Sequence, residues 1–155
     1  MISVRIADAA FDPYQALALF QRGHTESGAV ASFIGLVRNQ NDDKPVATLS
    51  LSHYPAMTEK KLLGFAETAN NRWQIDRVLV IHRVGDMAPG DPIVLVACAS
   101  AHRADAFAAT EYLMDKLKTE APFWKAEIAP DGARRWVDAR EVDNERATRW
   151  DSVDK

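Results

Sequence analysis

Two lysines bracket a proline turn in the stretch MDKLKTEAPFWKAE, and of all residues in the chain these carry the clearest chemical potential. A lysine held partly out of water loses proton affinity and can then act as acid, base or nucleophile. On a helical wheel, Arg103, Met114 and Lys118 fall within about 40 degrees of Phe107, and Lys116 falls on the opposite side. Lys116 is therefore expected to be an ordinary solvated lysine. Lys118 shares the Phe107–Met114 stripe in the helix's last turn, and two readings stay open for it. Its alkyl stem lies on the core with the ammonium at the favourable C-terminal end of the helix dipole, or it is a desolvated catalytic group. Lys125 follows the break at Pro122, after Phe123 and Trp124. These aromatics read as core residues of an edge strand, with a wall for a planar ligand as the alternative. Lys125 and Glu127 are two apart, so on a strand they share one face and form either an ion pair or an acid/base pair.

Two further clusters point to an anion. Ser100-Ala101-His102-Arg103 opens the same helix, where free N–H groups, the helix dipole, a histidine and an arginine favour phosphate or carboxylate. Arg38-Asn39-Gln40-Asn41 follows a buried strand, a common place for a binding arginine. Either could instead be a solvated surface segment. His24, His53 and His82 show no metal-ligand spacing with one another or with Cys98, so no metal site is expected. His53 and His82 read as strand residues satisfied by hydrogen bonds, and Cys98, inside PIVLVACAS, as a small buried core residue. No P-loop, GxGxxG or GxSxG pattern is present.

The elements that must position these residues follow from periodicity and punctuation. Ile2 to Ile6 alternates as a short strand. Asp12 caps a helix that Pro13 opens and that runs to about Phe20. Gly23 to Gly28 is a loop, Gly28 to Val37 a strand, and Arg38 to Lys44 a polar loop. Val46 to Tyr54 alternates as a strand. Pro55 starts a helix to about Trp73, with Met57, Leu62, Phe65, Ala66 and Ala69 on one apolar face. Arg77 to Val84 is a strand, Gly85 to Asp91 turn chemistry, and Pro92 to Ser100 a continuous apolar run suited to a central strand. Ser100 is the expected N-cap of a long helix from Ala101 to about Glu120, which Pro122 cannot continue. Phe123 to Ile128 and Arg134 to Arg140 form a hairpin around Pro130-Asp131-Gly132. The tail after Glu141 is polar and reads equally as helix or arm. Adjacent strands without intervening helices make the chain α+β.

Composition sets the outer bounds. The 155 residues are 47% hydrophobic, enough for one domain with a core. The net charge of -3 excludes the basic excess of a general nucleic-acid binder. No apolar run reaches the ~18 residues of a membrane span, and no signal-peptide pattern opens the chain, so a cytoplasmic protein is expected. A single cysteine suits a reducing compartment.

Five motifs, VRNQN, LSHYPAMTEK, VIHRVGDMAPGD, SAHRADAF and MDKLKTEAPFWK, occur in this order. From about Gly28 to Trp150 the chain resembles the catalytic (large) subunit family of molybdopterin synthase. The resemblance implies an α/β hammerhead-like domain with an additional small antiparallel sheet. It implies a homodimer that binds a small ubiquitin-like sulfur-carrier subunit at each end, giving a heterotetramer. The implied reaction converts cyclic pyranopterin monophosphate to molybdopterin, with dithiolene sulfur from the carrier's C-terminal Gly-Gly thiocarboxylate and no cofactor of the chain's own. Arg38, His102, Arg103, Lys118 and Lys125 match substrate-site positions, with Lys118 and Lys125 catalytic, and Lys125-Ala126-Glu127 matches the pocket-lining segment. Leu36 stands where the family pattern has a lysine, so one phosphate contact is expected to be missing or replaced. The alternative is a non-catalytic anion-binding scaffold subunit that presents a partner's C-terminal tail. A third reading is a fold relative with a different acyl or sulfur-transfer substrate.

One geometric consequence follows. Arg103 and Lys118 are 15 residues apart on one helix, roughly 22 Å along its axis. A small pterin phosphate cannot easily touch both. The expected site is shared, with Lys118 and Lys125 from one protomer and His102 and Arg103 from the other.

Overall fold

The structure, a computed structural model, describes residues 1–151. Its frame is a four-stranded sheet built from β1 (Ile2–Ala7), β6 (Ile75–Arg83), β8 (Pro92–Ser100) and β2 (Ala29–Leu36), in the order β1-β6-β8-β2. Only the β1–β6 pair is parallel. Both faces of the two central strands are covered, and this is why β8 reads as a nearly unbroken apolar run and β6 carries the apolar stretch from Val78 to Ile81. Alternation sorts the side chains between the two faces. Val78, Val80, Val94, Val96 and Cys98 meet α2 (Pro55–Arg72) and α3 (Arg103–Thr119) on one face. Leu79, Ile81, Leu95, Ala97 and Ala99 meet Phe20 of α1 (Pro13–Gln21) on the other.

A second, wholly antiparallel sheet grows from one end of this frame. Its order is β10 (Arg134–Val137), β9 (Phe123–Ile128), β5 (Thr48–His53), β7 (Gly85–Met87). A small cluster of Val37, Leu49, Leu51 and Met87 seals it. The architecture is the expected α+β arrangement, with the additional small sheet carrying Lys125 and Glu127.

Local chemistry explains the helix ends. Asp12 Oδ1 accepts the N–H groups of Tyr14 and Gln15, and Pro13 occupies the first helical position. Pro55 likewise opens α2, there without a side-chain cap. α3 stops at Thr119, ahead of Pro122, and the chain turns directly into β9.

Several details differ from expectation. Lys116 is not a solvated lysine: it is 8% exposed, and its ammonium sits 2.5 Å from Glu120 Oε1 and 3.5 Å from Asp151 Oδ1. The wheel centred on Phe107 pointed the wrong way, because Phe107 is itself 66% exposed. The buried face of α3 is made of small and aliphatic residues, Ala106, Ala109, Leu113 and Leu117, to which Tyr112 and the Lys116 stem belong. Ser100 ends β8, and His102 takes the N-cap position. The Ser100 hydroxyl donates to Gln74 O and accepts the His102 N–H. Met57 is exposed although the α2 pattern placed it with the core.

The polar loop after Val37 holds a hairpin, β3 (Gln40–Asn41) and β4 (Lys44–Pro45). Its two turn residues, Asp42 and Asp43, have φ of 49° and 60°, as a primed turn requires. The Gly85–Asp91 turn contains β7. The polar tail forms α4 (Glu141–Thr148), held on α3 by Trp150, whose indole packs edge-on to Trp73 and Tyr112 and donates to Asp115 Oδ2. The tail beyond residue 151 lies outside the described residues.

Leu95 is 0% exposed at the centre of the frame. Leu95→Ala is expected to cost about 2–5 kcal/mol, read as a lower denaturant midpoint with an unchanged slope.

Candidate active site

The turn between α3 and β9 sets the two lysines in different surroundings, and neither the core-packed nor the desolvated reading of Lys118 describes its place. Lys118, in the last turn of α3, is exposed, and Lys125, on β9, is half-buried. Burial is the main cause that lowers Lys125's proton affinity. Glu127 opposes that shift, while the positive charges of Lys118, Arg38 and Arg140 reinforce it. Lys118, Lys125 and Arg38 therefore share one electrostatic neighbourhood within one chain.

Glu127 is the carboxylate at the centre of this cluster, and it is 3% exposed. Its Oε1 accepts from Asn41 Nδ2 at 2.8 Å and lies 3.9 Å from Lys125 Nζ. Its Oε2 is gripped by Arg135 through Nε and Nη2. The expected Lys125–Glu127 pair on one strand face is thus present. Arg135 faces Glu127 because β10 pairs with β9 in the register Arg135↔Glu127.

Three contributors were not picked out from the sequence: Asn41 as a site residue, Arg135 and Arg140. The chain leaves β10 alongside Lys125, since Val137 pairs with it, and Arg140 at the N-cap of α4 then folds back onto Asn41 at 2.8 Å. The hairpin register was the available signal for Arg135, whereas Arg140 lies beyond the paired residues. Nothing in an otherwise exposed polar loop marks Asn41 as buried.

Ala126, expected among the substrate-binding residues, is fully buried, and alternation turns its side chain to the opposite sheet face. It acts as the spacer that puts Lys125 and Glu127 on one side. The two aromatics before Lys125 divide. Phe123 is stacked on His82 at 4.1 Å within the fold, while Trp124 is exposed and meets Tyr54 edge-on. His82 has the expected hydrogen bond, to the carbonyl of Arg83. His53 does not: its Nδ1 is buried without a hydrogen-bond partner among the described residues.

His102 and Arg103 lie at the other end of α3, exposed, in an open depression of ≈ 480 Å³ shared with Gly28, Ala29 and Phe107. Gly28 is what lets the two backbones close up here, since a Cβ at this position would stand 2.6 Å from Ala101 O. Within one protomer the structure does not bring His102 and Arg103 to the lysines. Leu36, at the end of β2, is exposed and adds no charge.

Fold and site together define an α+β domain with an excess of cations around one buried carboxylate, an arrangement suited to holding an anion and moving protons beside it. The MoaE protein family matches residues 6–120, and the chain belongs to this family. It is 51% identical over 153 residues to a molybdopterin synthase catalytic subunit from Ralstonia nicotianae, covering 99% of this chain and 86% of that one. It is 54% identical over 125 residues to the subunit of the same name from Escherichia coli, covering 81% and 83%. A solved structure described as the molybdopterin biosynthesis MoaE protein from Burkholderia ambifaria superposes with a TM-score of 0.81 at 46% identity, covering 97% of this chain and 99% of that one. The likeness thus reaches the N-terminal part, where the motifs had carried no inference.

His82 ties pH to stability beneath this site. Burial lowers its pKa from 6.5 to about 4; the Arg83 carbonyl opposes the shift and His53 adds to it. Between those two values the unfolded chain holds more protons than the folded one. Stability is therefore complete above about pH 6.5 and falls as pH drops towards 4, by about 3 kcal/mol. His82→Gln should flatten this part of the pH–stability curve; an unchanged slope would remove His82 as its source.

Proposed function

We propose that the chain is the catalytic subunit of a sulfurtransferase that converts cyclic pyranopterin monophosphate to molybdopterin. Sulfur comes from the C-terminal thiocarboxylate of a small ubiquitin-like carrier subunit and ends as the product's dithiolene. The observation that carries this reading is the convergence of Lys118, Lys125 and Arg38 in one cluster whose positive charges outnumber its carboxylates. A phosphate-bearing substrate supplies the missing negative charge. Addition of each sulfur and loss of each oxygen require proton transfers, and Lys125, whose proton affinity is already lowered, is suited to them. Cys98 is a poor internal donor of sulfur: it is fully buried, and burial pushes its thiol up to about 11. An outside carrier meets that need.

The site is completed by a second copy, which brings His102 and Arg103 to the substrate phosphate and makes the assembly, with its carriers, a heterotetramer. Two features support a second copy. β2 is an edge strand of the main sheet, and it exposes Val30, Phe33 and Leu36. Phe107 is exposed in the same depression as His102 and Arg103. Among the described residues no helix is long and apolar enough to cross a membrane, and we place the reaction in the cytoplasm.

Lys118→Ala should lower turnover by about 10²–10⁴-fold while leaving the complex assembled; full turnover from an assembled complex would favour the scaffold reading instead. Mixing Arg103→Ala protein with Lys118→Ala protein tests the shared site. Statistical exchange rebuilds one of two sites in half of the dimers, so about a quarter of wild-type activity should return. No recovery after demonstrated exchange would refute a site shared between protomers.

A further inference from the structure

Asn41 is 7% exposed in a hairpin whose neighbours Arg38, Asn39, Gln40, Asp42 and Asp43 are all exposed. Burying one polar side chain of such a segment is costly unless every group on it is paired. Here they are paired, and with unusual partners. Asn41 Oδ1 accepts from Arg38 Nη2 at 2.9 Å and from Arg140 Nη2 at 2.8 Å, while Nδ2 donates to Glu127 Oε1 at 2.8 Å. The orientation of the amide is fixed by chemistry: guanidinium groups only donate, and an ionised carboxylate only accepts.

We propose that Asn41 is a positioning residue of the anion site, a neutral acceptor that draws Arg38 and Arg140 together without cancelling either charge. This rests on the reading of the cluster as the seat of an anionic substrate. Two guanidinium groups repel, so holding them on one atom needs an acceptor. A carboxylate would hold them more strongly but would spend their charge on the protein. An amide of the same shape holds both and leaves that charge for a ligand. Asp42 shows the contrast: its carboxylate also reaches Arg140, at 3.3 Å, but at the exposed surface, where solvent screens it. Asn41 also ties three distant segments together, the β3–β4 hairpin, β9 and the start of α4. The ligand class this favours is an oxyanion with at least two oxygens to share between two guanidinium groups, a phosphate ester above all.

The test is calorimetric titration of the full-length chain with inorganic phosphate at fixed ionic strength. Asn41→Asp keeps the shape, neutralises one cation and replaces the donor to Glu127 with an acceptor, and should weaken phosphate binding by about tenfold. Asn41→Ser keeps neutrality but loses reach, and serves also if the first variant does not fold. It should weaken binding comparably and raise KM for the pterin substrate more than it lowers kcat. In an Arg140→Gln background the effect of Asn41→Ser should shrink, because part of what it positions is gone. A residue that only stabilises the fold would lose the same binding in both backgrounds. Wild-type phosphate binding with unchanged affinity in both folded variants would overturn the role of Asn41 and leave the anion site standing. No phosphate binding by the wild type would overturn both.

Discussion

The buried carboxylate of Glu127 organises the site. Removing a carboxylate from water is costly unless it is paired and hydrogen-bonded, and Glu127 is both, through Arg135, Asn41 and Lys125. Its surroundings nevertheless hold more positive charge than it can balance. Arg38, Arg140 and Lys118 remain around it, and after burial their positive charges are part of what lowers the proton affinity of Lys125. A cluster left positively charged in this way gains when an anion enters, and its lysine is set to exchange a proton with that anion.

Such a cluster needs a rigid support, since the repulsion would otherwise scatter its side chains. The four-stranded sheet provides it, with helices covering both faces. α3 spans that frame, planting His102 and Arg103 at one end and Lys118 at the other. The second sheet then sets Lys125 and Glu127 side by side through alternation and sets Arg135 opposite Glu127 through register. α4, anchored by Trp150 in an aromatic cluster with Trp73 and Tyr112, carries Arg140 back over the site.

Periodicity made the frame readable, because strands buried on both faces and helices opened by Asp12-Pro13 and by Pro55 follow local rules. The pairing of Lys125 with Glu127 was readable for the same reason, from a spacing of two on a strand. The buried face of α3 was not. A large aromatic, Phe107, pulled the wheel away from the small residues that actually pack, so Lys116, read as solvated, is buried, and Lys118, read onto the core stripe, is exposed. Asn41 and Arg140 depend on contacts between segments far apart in the chain, 99 residues in one case, and no local pattern encodes these; Arg135 lies across a local hairpin from Glu127 and was legible only once the register was set. Family likeness supplied Arg38, His102 and Arg103 as a set, but a single protomer keeps Arg38 apart from the other two.

We propose that this cation cluster, in the assembled protein, turns an anionic pterin into a dithiolene with sulfur from another chain. The most direct measurement is incubation of the full-length protein with cyclic pyranopterin monophosphate and a thiocarboxylated carrier, followed by detection of the dithiolene product. Product should form only when all three are present. A folded, assembled complex that yields none would contradict the account.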